Sequence, residues 1–196
     1  MKRLLKHPLA LPVVCLILVL FINLFQTPGF FQISIRNGVF YGYLIDIINR
    51  SSGLIILAVG MTLVVAASGG ADISVGAVSA LAGAVCVAIL GTGEAYKTPY
   101  VVAVIAAVAV AVLCGIFNGY LVSYLKVQPM VATLILFTAG RGIAQLVTGS
   151  FILYVKPVSF TYLGTFLPHI PIPTPCFVAL LLAVLTIYVL KRTALG

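Results

Sequence analysis

The chain has 196 residues, of which 63% are hydrophobic and only 7% charged, whereas soluble domains average about 45–50% apolar and about 25% charged residues. With a mean hydropathy of +1.27, its apolar side chains exceed what a small core can bury, which excludes a water-soluble globule, a disordered chain and a disulfide scaffold. The net charge is +8, but the basic residues flank apolar runs as they do beside membrane spans, so nucleic acid is not an expected partner.

Six apolar segments predict an all-α fold, a polytopic transmembrane helical bundle that forms a single domain over residues 1–196. Their approximate bounds are 9–27, 53–67, 76–90, 99–125, 129–147 and 176–190. The first segment lacks a small-residue cleavage signal at its end, which favours an uncleaved helix over a signal peptide.

The connection after the first segment is polar enough to leave the hydrocarbon. Phe31, Ile33 and Ile35 alternate with polar residues up to Asn37-Gly38, a dipeptide typical of hairpin turns. Apolar residues then recur at helical spacing over 40–48. This pattern predicts a short extended piece followed by an interfacial helix.

The second and third segments, 53–67 and 76–90, are each near the short limit for a span. Between them the sequence reads Ser-Gly-Gly-Ala-Asp-Ile-Ser-Val-Gly at 68–76. Because unwound backbone at membrane depth is tolerated only where protein buries it or a cavity adjoins it, helices interrupted around 68–76 indicate a transport site. Its candidate residues are Gly69, Gly70, Asp72 and Ser74. The alternative is an aqueous loop, and the sequence leaves open whether 53–90 crosses twice or re-enters.

Asp72 and Arg141 are charges within or beside apolar segments, where an unpaired charge is costly and suggests function. The Asp72 carboxylate is placed to cap the N–H groups of Ser74 and Val75, and we favour this role over direct contact with substrate. Arg141 has Gln145 one turn later on the same helix face. Two interpretations stay open for Arg141: pairing with a carboxylate or carbonyl elsewhere in the bundle, or lining a polar pathway.

The fourth segment carries a small residue at every fourth position and ends in a Gly115-x-x-x-Gly119 motif. Small residues on one ridge let a second helix approach closely, so Gly115 and Gly119 are predicted to pack helices together. Asn118 lies beside this ridge and is interpreted as an interhelical hydrogen-bonding residue rather than a ligand.

The residues give no indication of an enzyme. Residues 91–98 come close to a phosphate-binding Walker A loop, but Tyr96 replaces its second glycine and would obstruct the backbone cradle. The sequence shows no Ser/His/Asp or Cys/His set, and its four cysteines lack the spacing of metal ligands. We therefore expect no catalytic residue, metal site or cofactor.

Two stretches resemble the ribose/galactoside-type permeases of bacterial ABC sugar importers. They are residues 60–76, which include the Gly-Gly-x-Asp-x-Ser-Val-Gly block, and residues 118–134 together with Arg141-Gly142. Residues 31–50 are most similar to the galactofuranose permease branch of that family. The family loop usually reads Thr-Gly-Gly-Ile-Asp-Leu-Ser, so Ser68, Ala71 and Ile73 differ while the glycines and the aspartate are retained.

The resemblance implies a permease subunit in the bacterial cytoplasmic (inner) membrane. Its implied partners are a second permease subunit, an ATP-binding cassette ATPase and an extracytoplasmic sugar-binding protein. Since family members are considerably longer, the resemblance also implies that this chain is an N-terminal portion, which alone does not couple ATP hydrolysis to transport. The alternatives are an ion-coupled secondary sugar carrier and a non-transporting membrane scaffold.

The basic residues predict the orientation. If the second and third segments cross or dip as a pair, both termini lie on one side together with Lys126, which gives six basic residues on that side against four on the other. The positive-inside rule then places the N-terminus and C-terminus in the cytoplasm.

Overall fold

A computed structural model describes residues 10–36, 39–92, 97–156, 164 and 173–192. These residues form helices α1 (Ala10–Gln26), α2 (Tyr43–Ser68), α3 (Val75–Leu90), α4 (Tyr100–Ser123), α5 (Pro129–Thr148) and α6 (Thr174–Arg192), with strands β1 (Ser34–Arg36) and β2 (Val39–Tyr41). The predicted all-α fold is confirmed. Four of these helices, α2, α4, α5 and α6, are long and apolar enough to cross a membrane.

The extended piece predicted after α1 is an antiparallel pair of short strands. Ile35 is paired with Phe40, and Ser34 with Tyr41. The Asn37-Gly38 turn lies outside the described residues, as do residues 93–96 of the Walker-like stretch.

Helix α2 corrects two of our predictions. The interfacial helix expected over 40–48 and the short segment 53–67 are one continuous helix of 26 residues, Tyr43–Ser68. At 1.5 Å per residue it is about 39 Å long, which exceeds the ~30 Å hydrocarbon core. The polar residues near its start lie within the helix and bond locally: Ser52 Oγ donates to Asn49 O, and Arg50 Nε donates to Asp46 Oδ2 over 2.9 Å. Of the two segments predicted to be short, only the second is a short apolar helix, α3, with 16 residues.

Helix α3 packs between α4 and α5, while α2 packs against α6. Along α3 the buried residues Ala77, Leu81, Cys86 and Leu90 follow helical spacing and form the face that meets its neighbours. Near the end of α3, Cys86 and Leu90 enclose the fully buried Ala103 of α4. Most other apolar side chains are exposed, as expected for helices whose surroundings are lipid or further protein.

The contacts define two ends of the bundle. The hairpin end comprises the described residues 27–36, 39–42, 91–92, 97–99, 149–156, 164 and 173. There Val155 packs on the Cys86 cluster, and Asn49 Nδ2 near the start of α2 donates to Gly164 O over 3.4 Å. At the opposite end, which we call the joint end, residues 69–74 meet the start of α5. The connection 124–128 lies at that same end, since it leads directly into α5.

Candidate functional site

The interruption between α2 and α3, residues 69–74, is termed the helix joint. Helix α2 ends because Gly69 adopts the left-handed conformation (φ 64°), and its N–H donates to Val65 O over 2.9 Å. A residue with a Cβ is strained in that conformation, so glycine suits this C-cap. The Ser68 hydroxyl donates to Val64 O over 2.8 Å and accepts from Gly70 N–H over 3.3 Å. The joint is thus an ordered helix end rather than an open loop.

One of the two hydrogen bonds predicted for Asp72, the one from Ser74 N–H, is present just before α3. Its Oδ1 accepts from Ser74 N–H over 2.7 Å and from Ser74 Oγ over 2.6 Å. The second donor is the Ser74 hydroxyl, where the sequence suggested Val75 N–H. Ser74 is only 1% exposed, so burying its hydroxyl depends on this partner.

Two neighbouring helices extend the Asp72–Ser74 pair into a network. Asn118 Nδ2 of α4 donates to Ser74 Oγ over 3.1 Å, which confirms the interpretation of Asn118 as an interhelical hydrogen-bonding residue. From α5, Thr133 Oγ1 accepts from Ile73 N–H over 3.3 Å. The network fixes the start of α3 against α4 and α5. The other side-chain atom of Asn118, the buried Oδ1, has no hydrogen-bond partner among the described residues.

The joint also makes a close contact with α5. A Cβ placed on Gly70 would lie 2.6 Å from Cβ of Pro129, nearer than side-chain atoms normally approach. Gly70 therefore has a steric role, while Pro129 begins α5 at a position where proline's missing N–H costs no helical bond.

Thr133 and Pro129 are the contacts that residue patterns did not single out. A signal for Thr133 exists in hindsight, since it shares the buried face of α5 with Leu136 and Gly140 at spacings of three and four. For the meeting of Gly70 with Pro129 no local pattern exists, because 59 residues along the chain separate them.

Arg141 and Gln145 lie apart from this network, on an exposed face of α5. Together with Thr138 they recur at spacings of three and four, so they form one polar stripe along the helix. The guanidinium carbon of Arg141 lies 5.1 Å from the centre of the Phe137 ring, a cation–π contact within its own helix. Asp46 forms an ion pair with Arg50, whereas Arg141 forms none with any carboxylate of the described residues.

An open groove of about 310 Å³ runs between α3 and α5 towards the hairpin end. Small residues on α3, Ala80, Gly83 and Ala84, form one wall, and Gln145 with Thr148 contributes polar atoms on the other. Gln145 therefore belongs both to the polar stripe and to this groove.

The Gly115-x-x-x-Gly119 ridge has open space around it. No atom of the described chain beyond the helix itself would lie within 4 Å of a Cβ added at Gly115 or at Gly119. Only the earlier part of the ridge is packed, at Ala103 and Ala107. The predicted packing role of the two glycines thus stays a prediction.

The family model described as "Branched-chain amino acid transport system / permease component" matches residues 43–196. The chain is 41% identical over 196 residues to the galactofuranose transporter permease protein YtfT of Escherichia coli K12, covering 100% of this chain and 56% of that protein. It is 32% identical to the fructose import permease protein FruF of Bifidobacterium longum NCC 2705, covering 100% and 55% of the two chains.

A third relative is the ribose import permease protein RbsC of Escherichia coli K12, 32% identical over 87% of this chain and 50% of that protein. The chain therefore spans about half the length of the curated relatives it matches. No solved structure matches it.

Proposed function

Because the chain belongs to the family of branched-chain amino acid transport system permease components, we propose that it is a membrane-spanning permease subunit of an ATP-driven sugar importer. The names of its relatives specify galactofuranose, fructose and ribose, which favours a pentose or hexose over an amino acid. Galactofuranose is the first substrate to test, since the relative at 41% identity is named for it.

The polar stripe on α5 is the observation that carries this proposal. Helix α5 is apolar enough to span a membrane, yet Thr138, Arg141 and Gln145 are exposed along one side of it. A guanidinium facing lipid near the middle of a span costs about 2.5–3.5 kcal/mol on insertion scales. The stripe is therefore assigned to a hydrated pathway, in which hydroxyl, amide and guanidinium groups form hydrogen bonds to sugar hydroxyls.

The helix joint has a supporting role in this proposal. The hydrogen bonds of Asp72, Ser74 and Asn118 are made within the protein, so these residues hold the start of α3 in place. Gly69 and Gly70 supply the turn and the close approach to α5 that the joint needs. Since α3 packs on α5, the joint positions the helix that carries the polar stripe.

The proposed setting is the bacterial cytoplasmic membrane, with the joint end and both termini in the cytoplasm. This orientation is supported by the basic residues, because Lys126 lies at the joint end and Lys191 and Arg192 close α6, the helix that packs on α2. The sequence adds Lys2, Arg3 and Lys6 before the first apolar segment. The proposed partners are an ATPase subunit, a second permease subunit and an extracytoplasmic sugar-binding protein.

The test is uptake of radiolabelled galactofuranose, ribose and fructose by source cells whose chromosomal gene carries each substitution. Arg141→Leu is expected to lower the initial uptake rate of the cognate sugar at least tenfold, with partial recovery in Arg141→Lys. Arg192→Leu is the matched control, since this exposed arginine lies at the end of α6, and it is expected to retain the rate. Immunoblots of membranes confirm equal abundance.

Three results would overturn the proposal. Uptake that collapses with an uncoupler while cellular ATP persists identifies an ion-coupled carrier. Uptake of radiolabelled leucine by the same cells, with no uptake of any of the three sugars, identifies an amino acid permease. Uptake that Arg141→Leu and Asp72→Ala both leave unchanged identifies a scaffold.

A further inference from the structure

A second cavity, the hairpin cleft, lies at the hairpin end, away from the joint and the polar stripe. Its volume is about 540 Å³, and it is formed by the turn after α1, both strands and the first turn of α2. The side chains that line it include Gln32, Ser34, Tyr41, Tyr43 and Asp46. The volume is within the ~300–1,000 Å³ range of small-molecule sites.

The backbone that forms this cleft is specified locally. A Cβ on Gly42 would lie 2.7 Å from Gln32 O, so glycine there lets the second strand return close to the turn. Beneath it Phe30 is 6% exposed, and its ring stacks on Tyr43 with centroids 6.0 Å apart and planes 12° apart. The cleft therefore has one aromatic wall whose orientation is fixed by packing.

Apolar and polar side chains alternate over residues 32–35, which lead into β1 and form its start. Ile33 and Ile35 are exposed at 52% and 69%, while Gln32 and Ser34 line the cleft. A strand that turns its polar residues towards a concave surface concentrates hydrogen-bonding groups there.

Several of these groups have unused hydrogen-bonding capacity. The Gln32 amide and the Tyr43 hydroxyl have no hydrogen-bond partner within the described ranges. Asp46 uses Oδ2 for Arg50 at 2.9 Å, which leaves Oδ1 as an acceptor. An amide, a phenol and a carboxylate beside an aromatic plane match a ligand with several hydroxyls on one face and C–H groups on the other.

We propose that the hairpin cleft binds a monosaccharide, as a receiving site separate from the α5 pathway. This inference rests on the proposed function for the choice of sugar and on the cleft itself for the site. With both termini in the cytoplasm, the cleft faces the side from which sugar arrives. Tyr43 supplies the stacking plane, and Gln32 and Asp46 supply hydrogen bonds to the ring hydroxyls.

The chain contains no tryptophan, so a Tyr43→Trp variant has a single tryptophan, whose fluorescence reports on the cleft. Titration of this variant in nanodiscs with ribose, fructose or galactose is expected to give a saturable change in emission with at least one sugar. Proline at equal concentrations is expected to give none. Adding Gln32→Ala or Asp46→Ala removes one hydrogen-bonding partner and is expected to raise Kd about fivefold.

The matched control is Tyr124→Trp, which places the tryptophan at a 78% exposed tyrosine just after α4, near the joint end. Its emission is expected to be insensitive to sugar. Saturation-transfer NMR on the unsubstituted chain measures the same binding without the reporter. The cleft proposal is overturned if neither method detects a sugar, if Gln32→Ala and Asp46→Ala leave Kd unchanged, or if Tyr124→Trp responds equally.

The uptake assay separates this proposal from the proposed function. If Arg141→Leu abolishes uptake while the cleft binds no sugar, the cleft proposal fails and the permease assignment stands. If the cleft binds sugar and Arg141→Leu leaves uptake unchanged, the pathway assignment fails and the cleft stands.

Discussion

Asp72 is a charged residue whose observed bonds are those of a structural group. One oxygen, Oδ1, receives both Ser74 N–H and Ser74 Oγ–H, so the side chain satisfies a helix N-terminus and a buried hydroxyl together. Carboxylates at this position also gain from the positive end of the helix dipole. The hydrogen bonds need only an oxygen acceptor, whereas the interaction with the helix dipole needs the negative charge. Two substitutions of Asp72 separate these two contributions.

Asp72→Asn is expected to keep the cap, since the amide oxygen can replace Oδ1, and to lower the free energy of unfolding by no more than about 0.5 kcal/mol. Asp72→Ala removes the acceptor and is expected to lower it by about 1–2 kcal/mol. Unfolding in mixed micelles measures both variants. Equal losses for the two would show that the charge matters more than the hydrogen bonds, which contradicts the capping role.

Gly70 provides a steric test of the joint. Gly70→Ala places a methyl group against Pro129 Cβ at 2.6 Å, and overpacking of this kind costs about 1–3 kcal/mol. Gly76→Ala, six residues along the chain, meets nothing within 4 Å and is expected to be neutral or slightly stabilising. Melting temperatures of the two variants in detergent compare them. A melting temperature for Gly70→Ala equal to that of Gly76→Ala would show that the joint does not pack on α5 as described.

At the scale of elements, local chemistry was readable from the sequence, but contacts between distant segments were not. The glycine-rich interruption and the bond from Ser74 N–H to Asp72 follow from short patterns whose physics is local. The position of Asn118 beside the small-residue ridge predicted a bond to another helix, but not that Ser74 would be its partner. The predicted start of α2 was wrong because hydropathy reports the surroundings of a segment, whereas a helix can continue through polar residues such as Asp46, Arg50 and Ser52, which bond within it here. Thr133 and Pro129 depend on how α5 meets the joint, which no local pattern contains.

Leucine substitutions in the two parts of the small-residue ridge of α4 are expected to affect the stability of the chain differently. Ala103 is fully buried beside Leu90 and Cys86, so Ala103→Leu overpacks the α3–α4 contact and is expected to cost about 1–3 kcal/mol. Gly119→Leu meets open space and is expected to leave the unfolding of the isolated chain unchanged. If the glycines pack a second permease subunit, Gly119→Leu also reduces the complex recovered after crosslinking in membranes. Destabilisation of the isolated chain by Gly119→Leu would contradict the exposed position of this ridge.

On the scale of the whole molecule, the joint end and the hairpin end divide the proposed tasks. The joint end holds the start of α3 by polar contacts between α3, α4 and α5. The hairpin end carries the cleft and the groove beside Gln145. Sugar received at the hairpin end would then pass along the polar stripe, provided that α4 and α5 each cross the membrane.

Cysteine labelling in intact source cells tests this division. The four native cysteines are replaced by alanine, and a single cysteine is introduced at Lys97, before α4, or at Lys126, after it. Helix α4 has 24 residues, about 36 Å at 1.5 Å per residue, so the two positions are expected on opposite sides. A membrane-impermeant maleimide is expected to label position 97 in intact cells and position 126 only after permeabilisation, because positive charge is retained in the cytoplasm. Labelling of both positions in intact cells would show that α4 does not cross, and the reverse pattern would place the hairpin cleft in the cytoplasm, where it cannot receive imported sugar.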